Sequence, residues 1–199
     1  MVVFGAAGRT GRLVVEEALG RDIEVTAALR DPTRVSFEEQ VRVVNCDARE
    51  RDDVARALAD ADAAISVMAI PSGTPPTTEL SEATRTIVAS MTSLGPKRLV
   101  LTVNASVFHD RPVKPPYDVV AAEHRRDLGI LRESALEWTA LAPVMLTDDE
   151  PAGSYATELD AKAAGAGIPR ADLAVAALDA LEHDDWIAHV VGVAAPSRA

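Results

Sequence analysis

The sequence predicts a doubly wound α/β fold with a mostly parallel sheet. Apolar runs of strand length alternate with stretches of helical period along most of the 199 residues. The first run, Val2–Phe4, passes directly into a glycine-rich turn, GAAGRTG, and then into a helical pattern. Neither an internal repeat nor a low-complexity linker interrupts the alternation. Together these observations predict one domain of the Rossmann type over residues 1–199.

The first half of the chain carries three further strands and three helices. The helix after the glycine turn shows an apolar stripe at helical spacing, formed by Val14, Val15, Ala18 and Leu19. Apolar runs predict the next three strands, at residues 24–29, 41–44 and 63–67. Helices are predicted at 52–59 and 80–94, and the second of these ends at Gly95-Pro96, a typical stop signal.

The second half continues the alternation less regularly. The run RLVLT predicts a buried fifth strand within 97–102, a long helix follows at 119–134, and Pro143 terminates a strand at 138–141. A last helix is expected around 174–181 and a last strand at 186–193. Ligands of such sheets bind beyond the carboxyl ends of the strands. We therefore expect one cleft lined by the loops that begin near Gly5, Met68, Asn104 and Pro143, its acceptor side formed by the C-terminal part.

The glycine turn has the composition of a phosphate-binding loop. Residues without a side chain let the backbone approach a pyrophosphate closely, and the first N–H groups of the following helix hold negative charge. The candidate binding residues are Gly5, Gly8, Arg9, Thr10 and Gly11. Because the spacing is G-x-x-G-x-x-G instead of G-x-G-x-x-G, a purely structural strand-to-helix turn is the alternative. The preceding strand and the following helix favour nucleotide binding.

Two arginines stand at the end of the second strand. Arg30 opens the turn Arg30-Asp31-Pro32, and Arg34 follows four residues later. At this point of a dinucleotide fold an acidic residue accepts from the ribose 2′-hydroxyl, whereas an arginine pairs with a 2′-phosphate. Arg30 therefore favours NADP(H) as the cofactor, and Arg34 and Arg9 could add charge to the same pocket. The alternative for Arg30 and Arg34 is a solvated surface arginine without a specific role.

Two other strand ends are expected to meet the cofactor. Asp47 and Ala48 follow the third strand, where a carboxylate and the next backbone N–H can hydrogen-bond the adenine amino group and a ring nitrogen. An aspartate that simply forms a turn is the alternative. Met68 and Ala69 follow the fourth strand and are expected to pass beneath the cofactor through backbone contacts.

Charge and composition exclude several classes of function. A net charge of -11 argues against non-specific binding to nucleic acid or to an anionic membrane, because both would be repelled. Cys46 is the single cysteine, and the four histidines lack the spacing of a metal site, so no metal is expected. No apolar run has membrane-spanning length and no charged-then-apolar leader is present, so we expect a soluble cytoplasmic protein. The oligomeric state stays open.

Few polar groups are available for catalysis near the nicotinamide end. Tyr117 precedes the long helix, but the residue four positions later is Ala121, so the Tyr-x-x-x-Lys pair of short-chain dehydrogenases is absent. Asn104, after the fifth strand, could donate to an oxygen or a carboxamide but cannot act as an acid. His124 on the long helix could face the cleft, and an exposed histidine is the alternative.

Long stretches of the chain carry a family resemblance. They include VFGAAGRTG, VTAALRDPTRV, DARERDDVARALADADAAISV, PPTTELSEATRTIVASM, HRRDLGILRESALEWTALAP and LTDDEPAGSYATE. Through these stretches the chain resembles the atypical short-chain dehydrogenase/reductase superfamily of NAD(P)H-binding proteins over almost its full length. Within that superfamily it looks most like the biliverdin-IXβ/flavin reductase type.

The resemblance implies a role for each candidate residue. It implies that the glycine turn holds the pyrophosphate and that Arg30 and Arg34 hold the 2′-phosphate. The pair Asp47 and Ala48 would hold the adenine, and the pair Met68 and Ala69 would hold the middle of the cofactor. The family's serine after the fifth strand falls on Asn104, and its histidine after the sixth strand falls on Met145, close to Pro143. The family's histidine on the long helix is matched by His124. Two of the three polar groups near the substrate are therefore replaced.

Two functions are compatible with these residues, and a third is disfavoured. An NADPH-dependent oxidoreductase that reduces a flavin, a quinone or a similar planar acceptor is the first, because such an acceptor can take hydride without a dedicated protein acid. The alternative is a non-catalytic NADP(H)-binding redox sensor or regulatory protein. An isomerase or epimerase of a nucleotide sugar would normally need the absent Tyr-Lys pair. For the first function the partner is a small-molecule acceptor whose identity the sequence does not reveal.

Overall fold

The computed structural model describes residues 1–196 and contains ten strands and five α-helices in that range. The strands are β1 Val2–Phe4, β2 Thr26–Leu29, β3 Arg42–Asn45, β4 Ala63–Ser66, β5 Arg98–Thr102, β6 Glu137–Pro143, β7 Leu146–Thr147, β8 Ala156–Leu159, β9 Ile168–Pro169 and β10 His189–Ala194. The helices are α1 Arg9–Gly20, α2 Arg51–Leu58, α3 Glu79–Leu94, α4 Asp118–Arg132 and α5 Arg170–Glu182. Residues 197–199 of the predicted domain lie outside the described range.

Eight strands form one twisted central sheet in the order β3-β2-β1-β4-β5-β6-β10-β8. Neighbouring strands run parallel from β3 to β10, and β8 is antiparallel at the edge. The chain moves outward from β1 to β2 and β3, then returns to the other side of β1 with β4. This reversal opens a crevice beyond the carboxyl ends of β1 and β4, which is where such sheets bind ligands.

Helices cover both faces of the sheet. The core beneath α2, α3 and α4 contains Phe4, Leu99 and Met91, whereas the core beneath α1 and α5 contains Ile65 and Leu141. Successive residues of β1 and β4 enter opposite cores because side chains alternate along a strand. Within residues 1–196, no helix is both long enough and apolar enough to cross a membrane.

The predicted fold class is confirmed. The errors in the predicted secondary structure lie at the ends of elements and in short strands. The second strand begins at Thr26 instead of residue 24. The last strand begins at His189, because Trp186 ends a short 3-10 helix that precedes it. Three strands were not predicted, namely β7, β8 and β9. Two of these have only two residues each, and the third reads ATEL, so neither an apolar run nor a clear alternation marks them.

A buried arginine joins the sheet to the end of α5. Arg98 is 8% exposed, and its guanidinium donates to the carbonyl oxygens of Ala180, Leu181 and Glu137. A fourth bond, of 2.8 Å, goes to Thr139 Oγ1. The last carbonyl groups of a helix have no intrahelical donor and carry partial negative charge. Arg98 therefore caps α5 and fixes it against β5 and β6.

We predict that Arg98→Met lowers the free energy of unfolding by about 2–4 kcal/mol, because buried carbonyl oxygens at the end of α5 lose their donors. Arg85→Met is the matched control, since Arg85 is exposed on α3. Its effect should stay within about 0.5 kcal/mol. Urea unfolding followed by circular dichroism measures both variants. Equal midpoints for the two variants would contradict the capping role.

Candidate functional site

A cavity of about 500 Å³ opens at the carboxyl ends of β1 to β4. Residues from the four loops that follow these strands line it, together with Leu80 and Ala83 of α3. Leu146 and Arg170 join the lining from the C-terminal part of the chain. The cavity thus occupies the crevice that the reversal of strand order creates.

The glycine loop depends on the missing side chains of Gly5 and Gly11 for its sharp turn. Gly5 has a φ of 82°, a left-handed conformation that favours glycine. A Cβ on Gly11 would lie 2.1 Å from the Gly5 carbonyl oxygen, so α1 could not approach the loop. A Cβ on Gly8 would lie 3.2 Å from the same oxygen. The loop therefore folds back so closely that only residues 5–8 separate the end of β1 from the start of α1.

The first turn of α1 is left open toward the cavity. Gly8 is its N-cap residue, no side chain within residues 1–196 caps it, and its first turn contains no acidic residue. Gly8, Arg9 and Thr10 all line the cavity. Unpaired N–H groups at a helix N-terminus attract an anion such as a pyrophosphate. Gly11, in contrast, is buried behind the loop and permits close packing instead of lining the cavity.

The cavity is rich in positive charge although the whole chain is acidic. Six arginines line it, namely Arg9, Arg12, Arg30, Arg34, Arg49 and Arg170, against the three carboxylates Asp31, Asp47 and Glu79. Asp148, an exposed residue beyond the lining, joins Arg9 to Arg170 through two ion pairs of 2.5 Å each. A chain of net charge -11 therefore concentrates guanidinium groups at one opening, which suits a ligand with localised phosphates.

At the tip of β2, two arginine side chains have no partner within the described residues, while the carboxylate of Asp31 is hydrogen-bonded. Asp31 Oδ1 accepts from the backbone N of Thr33 at 3.0 Å and from its Oγ1 at 2.6 Å. These bonds lower the pKa of Asp31 and hold its carboxylate within the turn that Asp31 and Thr33 form. The guanidinium groups of Arg30 and Arg34 form no hydrogen bond or ion pair within residues 1–196. Both are exposed, and both line the cavity.

Strands β3 and β4 contribute the remaining predicted cofactor residues. Asp47 and Ala48 line the cavity after β3, and Met68 and Ala69 line it after β4. Hydrogen bonds from Arg49 lower the pKa of Asp47 to about 2, so this carboxylate stays ionised at neutral pH. Cys46 also reaches the lining, but burial raises the pKa of its thiol to about 12 and keeps it unreactive.

Besides Gly11, four of the candidate residues lie outside the lining of this cavity. Pro143 is buried as the last residue of β6, and the side chain of Met145 is exposed beyond it. His124 is 5% exposed, so the alternative of an exposed histidine is wrong, and its predicted catalytic role stays a prediction. It lies in α4 with its Nδ1 3.4 Å from Asp127 Oδ2, the oxygen of another buried side chain. His124 is therefore packed on the buried side of α4.

Asn104 lies after β5 and has a fixed amide group. Its Oδ1 accepts from Ser106 N at 3.1 Å and from Ser106 Oγ at 2.5 Å, which caps a short 3-10 helix over Ala105–Phe108. Because the oxygen is occupied, the side-chain NH₂ group is the part that remains for a ligand. Asn104 does not line the cavity, so its predicted role at the nicotinamide end stays a prediction.

Sequence reasoning missed Arg49 and Arg170, two of the cations in the lining. Arg49 comes two residues after Asp47, and this short spacing was a usable signal because both belong to one turn. No local signal marks Arg170, since its pairing partner Asp148 lies 22 residues earlier and Arg9 lies in the opening loop.

This fold and this cavity define a dinucleotide-binding protein of the Rossmann type. A family model described as NAD(P)H-binding matches residues 5–184. The chain therefore belongs to this NAD(P)H-binding family, and the prediction that it binds a nicotinamide cofactor is confirmed.

Solved structures of other proteins share the fold along the whole chain. The oxidoreductase ylbE from Lactococcus lactis is 22% identical with a TM-score of 0.83, covering 100% of this chain and 93% of its own. ChuY, an anaerobillin reductase from Escherichia coli O157:H7, is 23% identical with a TM-score of 0.84, covering 100% and 98%. A Rossmann-fold NAD(P)-binding family protein from Shigella flexneri is 19% identical with a TM-score of 0.79, covering 98% and 93%. These TM-scores show a common fold.

We predict that Gly11→Ala lowers the free energy of unfolding by about 1–3 kcal/mol and weakens the binding of NADPH and NADH, because the added methyl group forces α1 away from the loop. Gly129→Ala is the control. Gly129 lies within α4 with open space around its Cα, so alanine there should stabilise the protein by up to about 1 kcal/mol. Urea unfolding and calorimetric titration measure both effects. Unchanged nucleotide affinity in Gly11→Ala would exclude the proposed role of the loop.

Proposed function

We propose that this protein is an NADPH-dependent reductase that transfers hydride directly to a flavin, a quinone or a similar planar acceptor. The observation that carries the choice of NADPH is the free pair Arg30 and Arg34 beside the engaged carboxylate of Asp31. Arginine pairs with a 2′-phosphate through charge-assisted hydrogen bonds. A ribose 2′-hydroxyl would instead need a carboxylate as its acceptor, and the carboxylate at this strand end, that of Asp31, has its Oδ1 held within its own turn by Thr33.

The rest of the cavity suits the same cofactor. The open first turn of α1 would hold the pyrophosphate through Gly8, Arg9 and Thr10, and the loop after β4 would support the middle of the cofactor through Met68 and Ala69. The adenine would lie between Asp47, Ala48 and the apolar side chains of α3. We assign the acceptor to the C-terminal side, where Leu146 lines the cavity and Met145 is exposed one residue earlier.

The acceptor class is proposed from the chemistry that the residues predicted at the nicotinamide end can perform. When bound, the reduced nicotinamide supplies a hydride, and its ring is oxidised as the acceptor is reduced. Asn104 would donate its NH₂ group to an oxygen of the acceptor or to the nicotinamide carboxamide, because Ser106 occupies its oxygen. An amide stabilises developing negative charge but does not release a proton. A conjugated ring that spreads the added charge and takes its proton from water is the acceptor that this site suits best.

Two structural relatives support the reductase class, since one is an oxidoreductase and another is an anaerobillin reductase. The second candidate function is an NADP(H)-binding redox sensor without turnover. The replacement of polar catalytic groups favours it, because Asn104 and Met145 offer no acid and the residue four after Tyr117 is Ala121.

A turnover assay separates the two functions. With saturating NADPH we expect oxidation of the nucleotide when FMN, FAD or a quinone is added, and a slow background rate without an acceptor. The loss of NADPH absorbance measures the rate. Tight binding of both NADP⁺ and NADPH, with no turnover across a broad acceptor panel, would reject the reductase and favour the sensor.

The charge at the tip of β2 is tested separately. Arg30→Ala should weaken NADPH binding by about 1.5–3 kcal/mol, because a charge-assisted hydrogen bond to the 2′-phosphate is lost. NADH binding should change by less than about 0.5 kcal/mol. Calorimetric titration measures both affinities, with Arg85→Ala on the exposed side of α3 as the control. Equal weakening for the two nucleotides would contradict the role of Arg30.

A further inference from the structure

Arg49 holds the carboxylate of Asp47 through three hydrogen bonds. The backbone N and the Nε of Arg49 both donate to Asp47 Oδ1 at 3.0 Å, and its Nη2 donates to Oδ2 at 2.7 Å. This arrangement is bidentate, which fixes both the position and the plane of the carboxylate. Asp47 therefore cannot rotate freely, although it lies in a turn at the edge of the cavity.

The fixed carboxylate keeps one acceptor position for a ligand. A carboxylate offers about four acceptor positions, and Arg49 fills two on Oδ1 and one on Oδ2. The backbone N of Asp47 is also used, because it donates to Asp53 Oδ2 at 3.0 Å. The next N–H, that of Ala48, forms no hydrogen bond within residues 1–196, although Ala48 is 7% exposed and lines the cavity. An acceptor on Asp47 and a donor on Ala48 thus stand side by side.

Arg49 also connects this turn to α3. Its Nη1 lies 3.5 Å from Oε1 of Glu79, the first residue of that helix. Leu80 and Ala83 of the same helix supply an apolar wall to the cavity. Arg49 therefore links the turn after β3 to the start of α3, the two elements between which a base would lie.

The neighbouring acceptor and donor distinguish two kinds of purine. Adenine presents an amino group beside an unprotonated ring nitrogen, which complements a carboxylate oxygen followed by an N–H. A 6-oxo purine such as hypoxanthine presents a carbonyl oxygen beside a ring N–H, which reverses both positions. Hypoxanthine would place its carbonyl oxygen against the Asp47 carboxylate and its ring N–H against the Ala48 N–H, and each mismatch leaves a polar group unpaired.

From this geometry we infer that Arg49 determines the specificity of the cofactor site for a 6-amino purine, by holding Asp47 in the orientation that accepts from the amino group. The inference rests on the proposed function, because it assigns a role within the NADPH site. Arg49 is a positioning residue, since it acts through Asp47. Arg49→Ala removes the two side-chain bonds to the carboxylate and leaves only the bond from the backbone N.

The test compares NADPH with its reduced hypoxanthine analogue, which differs at the 6-position of the purine. Calorimetric titration should give the wild-type protein a preference of at least about tenfold for NADPH. Arg49→Ala should reduce this ratio roughly five- to tenfold. Arg49→Lys should give an intermediate ratio, because an ammonium group cannot form the bidentate pair. Circular dichroism of each variant verifies that it is folded.

Two controls exclude an effect of charge or stability alone. Arg51→Ala removes an exposed arginine two residues away and should leave the base preference unchanged. The preference of Arg49→Ala for NADPH over NADH should equal that of the wild type, because the 2′-phosphate is assigned to Arg30 and Arg34. Since the pKa of Asp47 is about 2, the base preference should also stay constant between about pH 5 and pH 8.

The failures of the two proposals give different results. If the wild-type protein binds NADPH but Arg49→Ala keeps the wild-type base preference, the role of Arg49 is overturned and the NADPH site stands. The same holds if the wild-type protein does not distinguish the two purines. If the wild-type protein binds neither nucleotide, the proposed function fails and the inference about Arg49 fails with it.

Discussion

The close contact between the glycine loop and the start of α1 is the constraint on which the site depends. The Gly5 carbonyl oxygen accepts from Gly8 N at 2.9 Å, and Gly11 packs against that same carbonyl without a Cβ. Because β1 lies in the middle of the sheet between β2 and β4, this contact brings the helix N-terminus to the point where strand order reverses. The same few atoms therefore determine where the helix begins, where the cavity lies and which sign of charge it attracts.

Charge within the cavity is arranged so that its carboxylates are engaged while some of its cations remain free. Asp31 is hydrogen-bonded by Thr33, and Asp47 is paired with Arg49. Each of these bonds stabilises the negative form locally, and both aspartates have lowered pKa values for this reason. Arg30 and Arg34 are left to face an incoming anion. A strongly acidic chain can therefore bind a phosphorylated ligand, because local pairing and not total charge sets the field at the cavity.

The sequence predicted the parts of the molecule that local patterns determine. Glycine spacing, apolar runs and an arginine after β2 each act over a few residues, so the central strands and the part of the cavity lining at the strand ends were predictable. The contact between Arg9 and Asp148 spans 139 positions and depends on how the segment after β6 returns across the sheet. The burial of His124 was not predictable for a related reason, because only the packing of α4 decides which of its polar residues become buried.

The two halves of the site differ in the range of the contacts that form them. The cofactor half is formed by residues that stand within a few positions of a strand end between β1 and β4, and its geometry follows from the strands themselves. The C-terminal half is held by long-range polar contacts, such as the bonds from Ala152 N and Gly153 N to the buried carboxylate of Asp172. Loop segments that are tied to a scaffold at a few points can change their side chains without disturbing the sheet. Substitutions in the proposed acceptor half can therefore change its surface while the strand ends keep their geometry.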